Sequence, residues 1–201
     1  MNKYIVLNFK NSLNDKNVFE YVDNIKNIKY DNLIICPSKK YIKYFKSNNY
    51  KLCTQDYYDD IKSDYVIINH HELEQTKKEV IDKIKKSINE KRKIILCIGN
   101  NKGDSLIDLK NEISSYHINS NIILAYEPYY MIGSNEDVDI NEISRTIQYI
   151  KQNFNNIKVL YGGNVNEKEI ENILNISDGV LLGRLSFNVY NITKILNNLI
   201  K

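Results

Sequence analysis

The 201-residue sequence has no hydrophobic run near the roughly 20 consecutive apolar residues of a membrane span, and Met1-Asn2-Lys3 leads into a short strand-like run rather than a signal peptide. A soluble, cytoplasmic protein is expected. There is no surplus of one charge either: 28 Lys+Arg stand against 25 Asp+Glu, dispersed among one another and among Asn. That balance argues against a nucleic-acid partner. Cysteine is scarce, and Cys36, Cys53 and Cys97 sit in or beside apolar runs with no CxxC pair. Reduced, buried thiols are expected, and a zinc site is not. No Pro/Gly/Ser linker or low-complexity tract divides the chain, so one domain over residues 1–201 is expected.

What is present is repetition. Apolar runs rich in Ile, Val and Leu recur at 4–7, 32–36, 50–53, 65–68, 93–98, 121–125, 157–160 and 179–182. They are continuous rather than alternating, as in parallel strands covered on both faces. Polar segments with apolar residues at helical spacing separate most of them, for example Val80-Ile81-Ile84-Ile88 and Ile140-Ile143-Ile147-Ile150. Eight such units predict a (β/α)8 barrel of minimal length, since roughly 200 residues is the lower limit for that closure. The segment between Cys53 and Tyr65 is too short for an ordinary crossover, so the helix after strand three is expected to be reduced or missing.

Glycine is also sparse, and all seven glycines lie after residue 98. Gly99, Gly162, Gly163 and Gly183 immediately follow expected strands, at the carboxyl ends where a barrel places its active site. The same ends carry Asn8-Phe9-Lys10, Asn69-His70-His71-Glu72 and Tyr126-Glu127-Pro128. Alone, each has a plain explanation: a solvated lysine, a capping histidine, a glutamate at a turn. Together at one mouth, Lys, His, Glu and glycine-rich loops point to proton transfer on a phosphorylated carbonyl compound.

The order of these motifs resembles the triosephosphate isomerase family, nearly from end to end. Asn8-Phe9-Lys10 resembles Asn-Trp-Lys, Cys36-Pro37 resembles Cys-Pro, and Thr54-Gln55-Asp56 is similar to Ala-Gln-Asn. Ile68-Asn69-His70-His71-Glu72 resembles Ile-Gly-His-Ser-Glu, and Cys97-Ile98-Gly99 is similar to Cys-Ile-Gly. Ala125-Tyr126-Glu127-Pro128 with Ile132-Gly133 resembles the catalytic-glutamate strand and its mobile lid. Tyr161-Gly162-Gly163-Asn164-Val165, Asp178-Gly179 and Leu182-Gly183 resemble the phosphate loops of strands seven and eight.

The resemblance implies a TIM barrel that interconverts dihydroxyacetone phosphate and glyceraldehyde 3-phosphate in glycolysis and gluconeogenesis. It implies Glu127 as the base, a neutral His70 polarising the carbonyl, and Lys10 stabilising the enediolate oxygen. Asn8 would orient that oxygen and Glu72 would position Lys10. Gly133, Asn164, Gly183 and Arg184 occupy phosphate-binding positions. Residues 129–135 form the lid and Tyr161 would hold it closed. No metal or organic cofactor is implied. A helix is expected to start at His71, with Glu72 and Glu74 in its first turn.

Four departures accompany the resemblance. The long loop after strand three, which reaches the partner subunit in the family's usual dimer, is cut to residues 57–64, implying a monomer or an atypical dimer. Arg184 replaces a glycine, and its guanidinium either points into solvent or adds a charge for another substrate. His71 replaces a serine and Asn100 a glutamate. The lid reads Tyr129-Tyr130-Met131 in place of Val-Trp-Ala, and Asn135 replaces a glycine. Two alternatives therefore stay open: an isomerase of a related sugar phosphate such as a tetrulose phosphate, and a non-catalytic paralogue that binds a phosphorylated metabolite.

Overall fold

The computed structural model describes residues 3–10, 12–45, 50–133 and 138–200. Asn135 lies outside the described residues. Eight parallel strands close into one barrel in chain order. They are β1 (Tyr4–Asn8), β2 (Leu33–Cys36), β3 (Lys51–Thr54), β4 (Tyr65–Ile68), β5 (Lys93–Ile98), β6 (Ile122–Tyr126), β7 (Lys158–Tyr161) and β8 (Gly179–Leu182). Each expected run thus becomes a strand, shifted by at most one residue at either end. Closure pairs β1 with β8, where Ile5 stands opposite Val180 and Leu7 opposite Leu182.

The described α-helices are α1 (Val18–Ile25), α2 (Lys77–Asn89), α3 (Leu106–Ser114), α4 (Ile140–Asn153), α5 (Ile170–Ile176) and α6 (Val189–Ile200). Their apolar stripes seat on the outer face of the barrel: Val80 and Ile84 of α2, and Ile143, Ile147 and Ile150 of α4, are buried. None of them is long and apolar enough to cross a membrane. Between β2 and β3 the described residues hold only a 3-10 turn, Ile42–Tyr44.

The pleat divides the strand residues into two populations. Val6, Ile34, Cys53, Ile67, Cys97, Ala125, Leu160 and Leu181 belong to a cluster inside the barrel, whereas Ile5, Leu7, Ile68, Leu96, Leu124 and Val180 pack outward under the helices. All three cysteines are free thiols buried in the interior cluster. Because side chains alternate with a period of two, extending each inward row by one step fixes which residue reaches the mouth. The steps from Val6, Cys53, Ile67, Cys97, Ala125, Leu160 and Leu181 land on Asn8, Gln55, Asn69, Gly99, Glu127, Gly162 and Gly183.

No helix follows β3, as its short connection predicts; residues 55–64 cross directly to β4. A polar network substitutes for the missing cover. Both oxygens of Asp56 accept from Lys83 Nζ of α2, at 2.8 and 2.7 Å, and Gln75 Nε2 donates to Asp56 Oδ1 at 3.1 Å. Gln75 Oε1 in turn accepts the Asn69 N–H at the end of β4. Farther out, the buried Arg92 guanidinium lies over the Tyr57 ring, donates to the Tyr58 carbonyl and pairs with Glu90.

The helix expected from His71 begins later. His71–Leu73 form a single 3-10 turn, Glu74 takes a left-handed conformation (φ 43°), and α2 starts at Lys77. Thr76 and Glu79 explain the displacement, because they form a reciprocal capping box that satisfies two otherwise orphaned N–H groups. Glu72 and Glu74 lack such an arrangement.

The Asp56 network makes a specific demand on stability. Asp56→Ala strands the Lys83 ammonium in a site where that side chain is only 23% exposed, and is expected to cost about 2–3 kcal/mol in urea unfolding. Asp60→Ala breaks the open Lys39 pair, whose side chains are 51% and 66% exposed, and should leave the midpoint nearly unchanged. Equal losses from the two variants would remove the network from its structural role.

Candidate active site

A cavity of about 190 Å³ opens at the carboxyl ends of the strands. Asn8, Lys10, His70, Glu72, Glu127, Gly133, Asn164, Gly183 and Arg184 all line it. Of the residues the sequence nominates, only Tyr161 stands apart. It is fully buried beneath the segment that carries Tyr130 and Met131, beside a small void, and its hydroxyl has no hydrogen-bond partner among the described residues.

Glu127 enters as the inward step beyond Ala125, and the chain is fixed there by its N–H donating to the Ile98 carbonyl at 2.7 Å. Two glycines make the space. A Cβ on Gly99 would collide with the Glu127 carbonyl oxygen and the Tyr129 ring, and one on Gly162 would stand 2.9 Å from Glu127 Cγ. The carboxylate is 2% exposed, and its Oε2 has no hydrogen-bond partner among the described residues. An oxygen held dry and without a partner has a lone pair available for a proton on a ligand.

Lys10 and His70 reach the same space by breaking the pleat. Phe9 points outward into the shell, where it meets Tyr21 edge-on at 4.7 Å, and Lys10 then adopts a left-handed φ of 48°. Asn69 does likewise at 64°, and His70 follows into the cavity wall. Such conformations cost a non-glycine residue on the order of 1 kcal/mol each, and they cluster where geometry serves function. Asn8 Oδ1 accepts the Lys10 N–H at 3.1 Å. Gln55 Nε2 lies 3.1 Å from both Asn8 Oδ1 and the Lys10 carbonyl, and 3.2 Å from the Cys36 carbonyl, tying β1 and β2 to the end of β3.

Lys10 Nζ donates to Glu72 Oε1 at 2.7 Å. Burial alone would raise the Glu72 carboxyl, but the hydrogen bond and charge of Lys10 outweigh it and the net shift is downward. His70 Nε2 lies 3.7 Å from Glu127 Oε1, and its Nδ1 lies 3.9 Å from Glu72 Oε2. Burial holds the His70 pKa below the ordinary histidine value; Glu127 opposes that shift, and the charges of His71 and Lys10 reinforce it. The imidazole is therefore neutral near pH 7.

Sequence reasoning missed three participants. His71 turns toward the base, with Nδ1 3.7 Å from Glu127 Oε2. Gln55, noted only as part of a motif, is the clamp described above. Glu112 of α3 is packed behind Gly99, and burial pushes its carboxyl up to about 7. Arg184 is exposed but does more than face solvent: its Nη2 donates to Asn164 Oδ1 at 2.9 Å across the mouth.

The family model described as triosephosphate isomerase matches residues 53–199. Among curated proteins, the triosephosphate isomerase of Campylobacter jejuni subsp. doylei is 30% identical over 152 residues, which cover 71% of this chain and 68% of that protein. The Ureaplasma parvum protein of the same name is 28% identical over 97% of this chain and 98% of its own length. One from Francisella tularensis subsp. mediasiatica is 25% identical over 98% and 97%. With the closed eightfold barrel and a family match over most of its length, this chain belongs to the triosephosphate isomerase family.

Proposed function

We propose that this chain interconverts dihydroxyacetone phosphate and D-glyceraldehyde 3-phosphate through an enediolate, with Glu127 moving the proton between the two carbons. The observation that carries this reading is the buried Glu127 carboxylate, its Oε2 without a hydrogen-bond partner among the described residues, facing a neutral His70 in a cavity that also holds Lys10. The substrate is a small phosphorylated sugar, as the family implies. Glu127 removes a proton from the carbon beside the carbonyl. His70, uncharged, donates a hydrogen bond to the carbonyl oxygen and relays protons between the two oxygens. Lys10, oriented by Glu72 and by the Asn8 and Gln55 clamp, stabilises negative charge on the enediolate oxygen.

Gly133, Asn164, Gly183 and Arg184 bind the phosphate in this reading, with Asn164 held by the Arg184 guanidinium. The segment from Tyr129 to Gly133 closes over the substrate and excludes water, and Tyr161 supplies its hydroxyl to the closed form. The chain acts as one domain in the cytoplasm, as a monomer or an atypical dimer, because residues 55–64 fold back on their own α2 instead of extending outward.

Three measurements test this reading. Glu127→Gln is expected to lower kcat about 10³-fold with a small change in KM, since the amide fills the same space but takes no proton; retained turnover would assign the base elsewhere. For His70, the lowered pKa means that the folded state binds fewer protons than the unfolded state between the two pKa values, so stability from this group falls as pH drops below about 6.5. Nitrogen-15 spectra of the imidazole should accordingly show the neutral form at pH 6.5, and half-protonation there or above would contradict the assignment. Light scattering behind a sizing column should give the mass of one chain, or of two chains whose crosslinks avoid residues 55–64; a dimer crosslinked through those residues would refute the proposed assembly.

A further inference from the structure

We propose that His70, His71 and Glu127 form a binding site for one divalent transition-metal ion of the zinc class, so that metal and sugar phosphate exclude each other at this mouth. Two buried polar atoms carry the proposal. Glu127 Oε2 and His71 Nδ1 both lack a hydrogen-bond partner among the described residues, and they stand 3.7 Å apart. That gap is too wide for a hydrogen bond. It is close to the separation of about 3.4 Å between two ligands at ordinary zinc distances and a tetrahedral angle. One ion between them satisfies both atoms at once.

The third donor is already near. His70 Nε2 lies 3.7 Å from Glu127 Oε1, and one donor atom from each of the three residues falls within 4.8 Å of the others. A pair at that outer distance must close by about 1.4 Å to share an ion. His71 has room to do so, since its side chain is 24% exposed whereas His70 is 7% exposed. Two imidazoles and one carboxylate, with a fourth position open to the cavity, suit zinc, cobalt or nickel; magnesium and calcium favour all-oxygen sets.

The surroundings fit as well. Glu72 faces the second nitrogen of both rings, with Oε2 3.9 Å from His70 Nδ1 and Oε1 4.0 Å from His71 Nε2. At those distances Glu72 makes no hydrogen bond to either ring and contributes only its negative charge, which favours a cation nearby. The opposing charge of Lys10 is neutralised by its 2.7 Å pair with the same Glu72. Burial keeps His70 uncharged near pH 7, the form that ligates.

Binding stands on this geometry alone, whereas inhibition of turnover rests on the isomerase reading above. The test is calorimetric titration of chelator-stripped protein with zinc chloride, repeated with cobalt(II) as a spectroscopic probe. One ion per chain is expected, weakened at least about tenfold in His71→Ser. Circular dichroism confirms that the variant is folded, and His71→Asn replaces it if it is not. Cobalt should give the visible bands of a four-coordinate nitrogen and oxygen site without a sulfur charge-transfer band. Absence of binding, undiminished affinity in the folded variant, or a thiolate band placing the ion on cysteine would overturn the proposal. Zinc should also inhibit turnover reversibly with EDTA. A protein that binds zinc at this site but turns over no triose phosphate would leave the site standing and remove the isomerase reading; an active enzyme that binds no zinc would do the reverse.

Discussion

The pleat of a closed parallel barrel is the constraint on which the rest depends. Every strand has one row of side chains inside, and the residue two steps past the last interior side chain must emerge at the mouth. The interior cluster therefore fixes the site's composition: Asn8, Gln55, Gly99, Glu127, Gly162 and Gly183 follow from Val6, Cys53, Cys97, Ala125, Leu160 and Leu181. Glycine at three of those positions leaves the volume that Glu127 and a substrate need. A slip of one residue in β6 would exchange Glu127 for Tyr126 or Pro128 at the mouth and abolish the arrangement.

Two groups reach the site only by departing from that alternation. Lys10 and Asn69 hold left-handed conformations immediately past their strands, and the contacts of Asn8, Gln55 and Gln75 with the adjoining backbone offset their cost. The same polar groups bridge the missing helix after β3. Shortening of the chain and support of the site are thus linked: Asp56, Gln75 and Lys83 cover a gap in the shell and also brace the backbone that presents His70. Burial then sets the protonation state, because the same dry walls that leave Glu127 Oε2 without a partner hold His70 neutral.

Much of this was legible in the sequence. Runs rich in Ile, Val and Leu mark seven of the strands, because strands covered on both faces need mostly apolar residues; β3, Lys-Leu-Cys-Thr with an exposed Lys51, carries the weakest run. The short span from Cys53 to Tyr65 shows that no helix fits there. Local order also marks Lys10, His70 and Glu127, since each lies one or two residues past the end of a strand. The remainder depends on side-chain directions and distant partners. Nothing local reveals that His71 turns inward, that Gln55 reaches three groups on two other strands, or that Arg184 crosses to Asn164. The helix starts at Lys77 and not at His71 because acidic residues in a first turn are a weaker signal than the Thr76 and Glu79 box that begins five residues on.

The most direct test of the central claim is isomerisation followed by proton NMR in deuterium oxide. A carboxylate that takes a proton from one carbon and exchanges it with solvent before returning it to the next leaves deuterium at carbon 2 of the glyceraldehyde 3-phosphate formed. That label is the expected result. The same label formed at an undiminished rate by Glu127→Gln would contradict Glu127 as the group that carries the proton.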